Sequence, residues 1–285
     1  MPSARLFILI VLAMLAFAGN SLLCRLALKA TAIDAATFTT VRILAGALAL
    51  WLIVQLRGAP AVRAGSWRSA LALIAYAAAF SFAYTRLPAG TGALLLFGAV
   101  QATMIGVGVA RGERLRAWQI AGFLLAVGGL VGLLLPGISA PPPLASALML
   151  GAGVAWGIYS LRGRGSGDAL AATAGNFLRA VPFALVLSAC ALAQFSWDLS
   201  GIACALASGA LTSGVGYAIW YSALPRLPAT QAATVQLSVP VIAALGGVLL
   251  LGEPLSARLS VAAVAILGGI ALVIAGGRRA LPLRR

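Results

Sequence analysis

Apolar residues run along this chain in stretches of about twenty, separated by short breaks that hold glycine, proline and arginine. A stretch of that length is what an α-helix needs to cross the hydrocarbon core of a bilayer. The pattern predicts ten spans, at about residues 6–28, 36–56, 68–86, 89–110, 117–135, 144–162, 170–193, 201–224, 229–250 and 258–276. Residues 136–143 hold four prolines and read as a helix-breaking linker. At the start, Arg5, an apolar run and Ala16-Phe-Ala18 resemble a cleavable signal. The uncharged run continues through Gly19 to Leu23, however, and the stretch is needed as the partner of a later one near residues 153–160, so it is expected to remain the first span.

The chain repeats itself at an offset of 140 residues. Arg86-Leu-Pro-Ala-Gly90 returns as Arg226-Leu-Pro-Ala-Thr230, Gly112-Glu113 as Gly252-Glu253, and Gly128-Gly129 as Gly268-Gly269. Three matches in one ungapped register predict two copies of a membrane unit, residues 1–137 and 138–285. Each copy holds five spans. An odd number sends the second copy into the membrane from the opposite side, so the predicted fold is all-α, with two inverted five-helix repeats. Small-xxx-small pairs at Gly108/Gly112, Gly128/Gly132 and Gly153/Gly157 predict close helix packing. Gly128 and Gly268 lie in the fifth span of each repeat, where packing within one subunit and packing in a homo-oligomer are both open.

Composition agrees with the apolar pattern. Only 9% of residues are charged, against about 25% in a soluble domain. The net charge of +15 would suggest nucleic acid in a soluble protein, but here the arginines cluster in the breaks and at the C-terminus. Topology explains them, and no nucleic-acid partner is expected. With the N-terminus in the cytoplasm, fourteen basic residues fall on that side and three, Lys29, Arg86 and Arg258, on the other. This predicts a multi-pass protein of the bacterial cytoplasmic membrane with both termini inside. Cys24, Cys190 and Cys204 have no paired spacing, so neither a disulfide framework nor a metal site is expected. There is no histidine, and the five carboxylates, Asp34, Glu113, Asp168, Asp198 and Glu253, sit at or near span ends. An enzyme would need an acid–base pair, a nucleophile–base pair or a metal. None is visible, so no catalytic residue and no cofactor is expected.

Polar and aromatic side chains inside spans are the candidates for a binding site, because lipid disfavours the polar ones. Span three carries Tyr76, Phe80 and Tyr84 on one helical stripe, with Tyr84 nearer the outer rim. Span eight carries Ser213, Tyr217 and Tyr221 on one face, with Trp220 beside them. Trp220 matches Phe80 at the 140-residue offset, and Tyr221 is expected in the interfacial aromatic belt. Span six offers Trp156 and Tyr159, and span one offers Asn20 and Ser21. Gln101 lies in mid-span four and Asn176 in span seven; a buried amide needs partners or water. The competing explanation for each is helix packing or an interhelical hydrogen bond. Arg42 and Arg179 stand at matching places in spans two and seven, as clamps for a carboxylate or phosphate or as ties to backbone carbonyls. Glu113 and Glu253 read as loop anchors, and Pro88, Pro228 and Pro240 as bends or helix ends.

Thr37-Phe-Thr-Thr-Val-Arg42, Tyr217-Ala-Ile-Trp-Tyr-Ser-Ala-Leu-Pro-Arg-Leu-Pro-Ala-Thr230, Pro240, Leu251-Gly-Glu253 and Gly268-Gly269 resemble the EamA-type repeat of the drug/metabolite transporter superfamily. The resemblance covers nearly the whole chain. It implies ten helices around a central cavity and alternating access, and it favours a structural role for the two arginines. One departure is that the family's fourth-helix proline is present as Pro240 but replaced by Val100 in the first half. Within the superfamily the chain resembles the bacterial exporters of aromatic amino acids. That implies an amino-acid substrate in a protein whose other partner is membrane lipid; the polar and aromatic candidates to contact the substrate are Asn20, Tyr76, Phe80, Gln101, Trp156, Tyr159, Asn176, Ser213, Tyr217 and Trp220. The related small multidrug pumps use a first-helix glutamate, where this chain has Asn20, so transport is expected to be uncoupled from protons. Export of a sugar, a nucleotide derivative or a cationic drug, and a non-transport scaffold, are the competing readings.

Overall fold

The computed structural model describes residues 4–58, 64–112, 115–137, 140–163, 167–227 and 229–277. Among the described residues the chain is helical, with no strand. The helices are α1 (Ala4–Ala30), α2 (Ala35–Leu56), α3 (Trp67–Tyr84), α4 (Ala89–Ala110), α5 (Ala117–Leu134), α6 (Pro143–Gly163) and α7 (Ala169–Cys190). They continue with α8 (Leu199–Ala207), α9 (Gly216–Ala223), α10 (Ala229–Gln236), α11 (Ser238–Leu251) and α12 (Ala257–Gly277). Nine described stretches are long and apolar enough to cross a membrane, among them the composite stretches Leu199–Arg226 and Thr234–Leu251. The helix outside that set is α3, whose 18 residues include Trp67, Arg68, Tyr76 and Tyr84. This is a multi-pass membrane protein. Leu249 and Leu250, 79% and 74% exposed, and Val264, 75% exposed, face outward, as lipid-facing residues do.

Carboxylates start three of the helices. Asp34 accepts from the amides of Ala36 and Thr37 at α2, and Asp168 from those of Leu170 and Ala171 at α7. Asp198 accepts from Gly201 N at α8. Each satisfies amides that a helix start leaves unpaired. Gly112 (φ +93°) follows α4 and Gly252 (φ +61°) caps α11, so both use the left-handed backbone that glycine adopts without strain.

Helices from the two ends of the chain are interleaved: α2 packs on α7, α3 and α4 on α6, and α5 on α12. Small residues let the backbones meet. A Cβ on Gly153 would lie 2.6 Å from Leu96 O, and one on Gly157 2.9 Å from Thr103 Cβ, which closes α6 on α4. Gly128 and Gly132 do not pack within the subunit. Neither has an atom within 4 Å of a would-be Cβ, whereas Gly129 meets Ala265 and Gly122 meets the carbonyl of Gly269 on α12. The α5 face that turns inward is therefore one residue away from the expected one.

Two predicted spans are irregular. The eighth is α8, a π-helical turn over Ser208–Val215, and α9. The ninth is broken at Leu237 between α10 and α11. Pro240, three residues on, has no N–H to continue the ladder, and its ring excludes the carbonyl four residues back. Its counterpart Val100 sits in the unbroken α4. Pro88 stands at the N-cap of α4 and so marks a helix start, while Pro228 lies outside the described residues.

Candidate functional site

A cavity of about 550 Å³ lies between α1, α3, α4, α6, α7 and the eighth and ninth spans. All ten candidate residues line it: Asn20, Tyr76, Phe80, Gln101, Trp156, Tyr159, Asn176, Ser213, Tyr217 and Trp220. Aromatic rings form a stacked section of the wall. Tyr76 packs on Phe80 (centroids 5.3 Å apart) and on Trp156 (4.8 Å). Trp156 stacks on Tyr159 (5.1 Å) and on Tyr217 (5.7 Å), and Tyr217 stacks on Tyr221 (6.2 Å). Such contacts fix ring orientation beyond simple burial.

Polar groups are set between the rings. Asn20 donates from Nδ2 to Tyr76 OH (3.2 Å) and accepts at Oδ1 from Ser208 Oγ (2.6 Å). One amide thus ties α1 to α3 and to the π turn. A widened turn brings Ser208, Thr212 and Ser213 to the same side of the eighth span, and π turns recur at functional sites. On the far wall, Thr173 Oγ1 lies 3.4 Å from Tyr159 OH and 3.3 Å from Tyr221 OH. Asn176 spans two roles. Its Nδ2 donates to Tyr159 OH (3.3 Å), while its Oδ1 accepts from Ser66 N (2.8 Å) beside the start of α3.

Among the described residues, no Asp, Glu, Lys or Arg lines the cavity. Its wall extends to Gly163 at the end of α6, Ala169 at the start of α7, and Leu224 and Leu227 beyond α9. At the opposite end the helices are latched. Arg25 Nε donates to Glu253 Oε1 (2.7 Å), with the two side chains 12% and 5% exposed. Arg25 Nη1 donates to Tyr84 O (2.9 Å), Ala89 N donates to Glu253 Oε2 (2.7 Å), and Lys29 Nζ donates to Leu251 O (2.9 Å). Glu253 is thus an anchor between distant helices, beyond the local loop role expected; Glu113 lies outside the described residues. Tyr84 is fully buried against this latch, with its OH donating to Ala89 O.

Several wall residues were missed in the sequence. Phe17 packs on Tyr217 and Trp220, and Thr173 lies one turn before Asn176. Both sit one helical turn from a recognised candidate, which was the available signal. Tyr221, which shares the face of Ser213 and Tyr217 and had the interfacial belt as its competing reading, lines the cavity.

The sequence profile of the EamA-like transporter family matches residues 143–275. The uncharacterized protein PA1977 of Pseudomonas aeruginosa is 62% identical over 276 residues, which is 96% of each chain. The chain belongs to the EamA-like transporter family. It is thereby a transporter-family membrane protein. The threonine/homoserine exporter RhtA of Escherichia coli (strain K12) is 33% identical over 113 residues, 39% of this chain and 38% of that one. The RhtA of Salmonella typhimurium (strain SL1344) is 31% identical over 114 residues. One solved crystal structure shares the fold of this chain at a TM-score of 0.68 and 20% identity, with 95% of this chain and 97% of the other covered.

Proposed function

We propose that this protein exports large neutral, chiefly aromatic, amino acids across the bacterial cytoplasmic membrane by alternating access. The uncharged cavity walled by stacked aromatic rings carries the reading. Its volume falls within the range of small-molecule sites, about 300–1,000 Å³. Ring faces suit an aromatic or other apolar side chain, and the hydroxyls and amides of Asn20, Ser213 and Tyr159 suit the polar backbone of an amino acid. The printed substrates of RhtA, threonine and homoserine, support the amino-acid class and favour a second reading, small hydroxylated amino acids.

The transport cycle follows from the two ends. With both termini in the cytoplasm, the open end faces inward and the Arg25–Glu253 latch closes the outer side. Two inverted repeats, residues 1–137 and 138–285, would exchange these roles by rocking. The matched caps Asp34 and Asp168, and the matched left-handed glycines Gly112 and Gly252, support that division. The ten wall residues form the substrate site, and no proton carrier is needed: the described carboxylates cap helices or hold the latch. A zwitterion carries no net charge, so the membrane potential leaves its flow nearly unbiased.

The test is counterflow in proteoliposomes loaded with unlabelled phenylalanine. Labelled phenylalanine should accumulate, lose to excess aromatic amino acids, and ignore glucose, a quaternary ammonium and an imposed pH gradient. Competition by threonine alone would favour the second reading. Folded protein that moves neither amino acid overturns the substrate class, and dependence on the pH gradient overturns uncoupled transport.

A further inference from the structure

Arg42 and Arg179 hold matching places in α2 and α7, yet their surroundings differ. Arg179 donates to Ala64 O and Gly175 O at the end of the bundle, as a structural tie does. Arg42 is 2% exposed and donates from Nη2 to Ala77 O (3.1 Å), while its buried Nη1 has no hydrogen-bond partner. The guanidinium carbon lies 5.0 Å from the ring centre of Phe80 and 5.7 Å from that of Tyr76. Among the described residues no carboxylate pairs with it, because Glu253 is held by Arg25 and the three aspartates cap helices.

A buried cation without a counter-ion is among the costliest groups in a protein interior. The two ring faces offset part of that cost. A carboxylate would offset more, since its planar oxygens match the guanidinium donors. Tyr76 and Phe80 separate Arg42 from the cavity and also line it, so the cation stands one side chain away from any bound solute. Asn20 holds Tyr76 OH and thereby the position of that ring.

We infer that Arg42 is the anion-recognition residue of the cavity. Tyr76 and Phe80 pack at 5.3 Å and leave no gap, so a substrate carboxylate reaches Arg42 by displacing one of these rings and takes up the idle Nη1 donor. This rests on the cavity being the transport site, and it adds that the transported molecule carries a carboxylate, recognised from beneath the aromatic floor.

The experiment compares wild type, Arg42→Gln and Arg42→Lys as full-length protein in detergent. Binding is titrated with L-phenylalanine and L-threonine and with the two matching amino alcohols, which lack the carboxylate. Melting temperature is measured for each empty protein. Wild type should prefer each amino acid it binds over its alcohol by roughly tenfold or more, the scale of one charge-assisted hydrogen bond. Arg42→Gln should lose that preference without weakening for the alcohol, and Arg42→Lys should keep part of it. Empty Arg42→Gln should melt at or above wild type, because the uncompensated charge is gone. A lower melting temperature with the preference intact would make Arg42 a structural tie and overturn the inference. If wild type binds none of the four compounds, the amino-acid reading fails by itself. Sodium benzoate then still reads Arg42: a melting shift in wild type that Arg42→Gln lacks supports the inference, and no shift overturns it.

Discussion

Asn20 joins three elements through a single amide, and it does so at the cavity wall. Replacing it with alanine leaves the buried Ser208 hydroxyl without that partner and frees Tyr76. A loss of about 1–3 kcal/mol in stability is expected, the cost of stranded buried polar groups. Thermal melting of Asn20→Ala checks this, and a melting curve unchanged from wild type would mean the network is dispensable. Asp34 acts through a different balance. Burial works against its charged form, but Thr37 and the amides of Ser196 and Ala36 win and hold the carboxyl below the usual range. A depressed carboxyl stabilises the fold above its unfolded pKa and loses that effect as pH falls through the folded value. Wild type should therefore exceed Asp34→Ala by about 1 kcal/mol at neutral pH, with the gap closing below about pH 4. The ten wall residues were legible because polar and aromatic side chains stand out against an apolar span. The idle Nη1 of Arg42 was not, since whether a donor finds an acceptor depends on which carbonyls other helices bring to it.

Helix existence was legible for a related reason: an apolar run of span length has few other uses. Helix faces were less so. Gly128 and Gly129 are neighbours in the sequence, yet only Gly129 meets α12. Leucine at Gly129 should cost about 1–3 kcal/mol through overpacking, and leucine at Gly128 should cost close to nothing. Melting temperatures of the two variants decide it, and equal losses would mean that both faces are packed. Nor could period alone place the π turn, because the small and hydroxyl-bearing residues of Ser208–Val215 also fit an ordinary α-helical turn. The break before Pro240 was legible, because proline removes a donor wherever it stands.

At the scale of the molecule, the cavity is closed at one end by charges that the chain brings together from residues 25 and 253. If this latch is an alternating gate, cutting it should favour the opposite opening. Glu253→Gln strands Arg25, and losing one partner of a buried pair costs about 3–5 kcal/mol. Cys24, fully buried beside Arg25, is a native reporter. In a background with Cys190→Ser and Cys204→Ser, Glu253→Gln should raise the rate of Cys24 labelling by a membrane-impermeant thiol reagent applied at the latched end, by at least tenfold. An unchanged rate would make the latch static. The irregular turn and the proline break both fall in the later half of the chain, and the matching stretches of α3 and α4 run unbroken. Halves related by an exact two-fold axis in the membrane plane would make the two access states degenerate, with identical binding constants on either face. Unequal halves lift that degeneracy, so one face should bind more tightly and one step should limit the cycle. Detailed balance fixes what such inequality can do. Without a coupled ion, the product of the binding and reorientation constants around the cycle is unity, so the unequal halves set the pace of exchange while the solute's own gradient sets its direction.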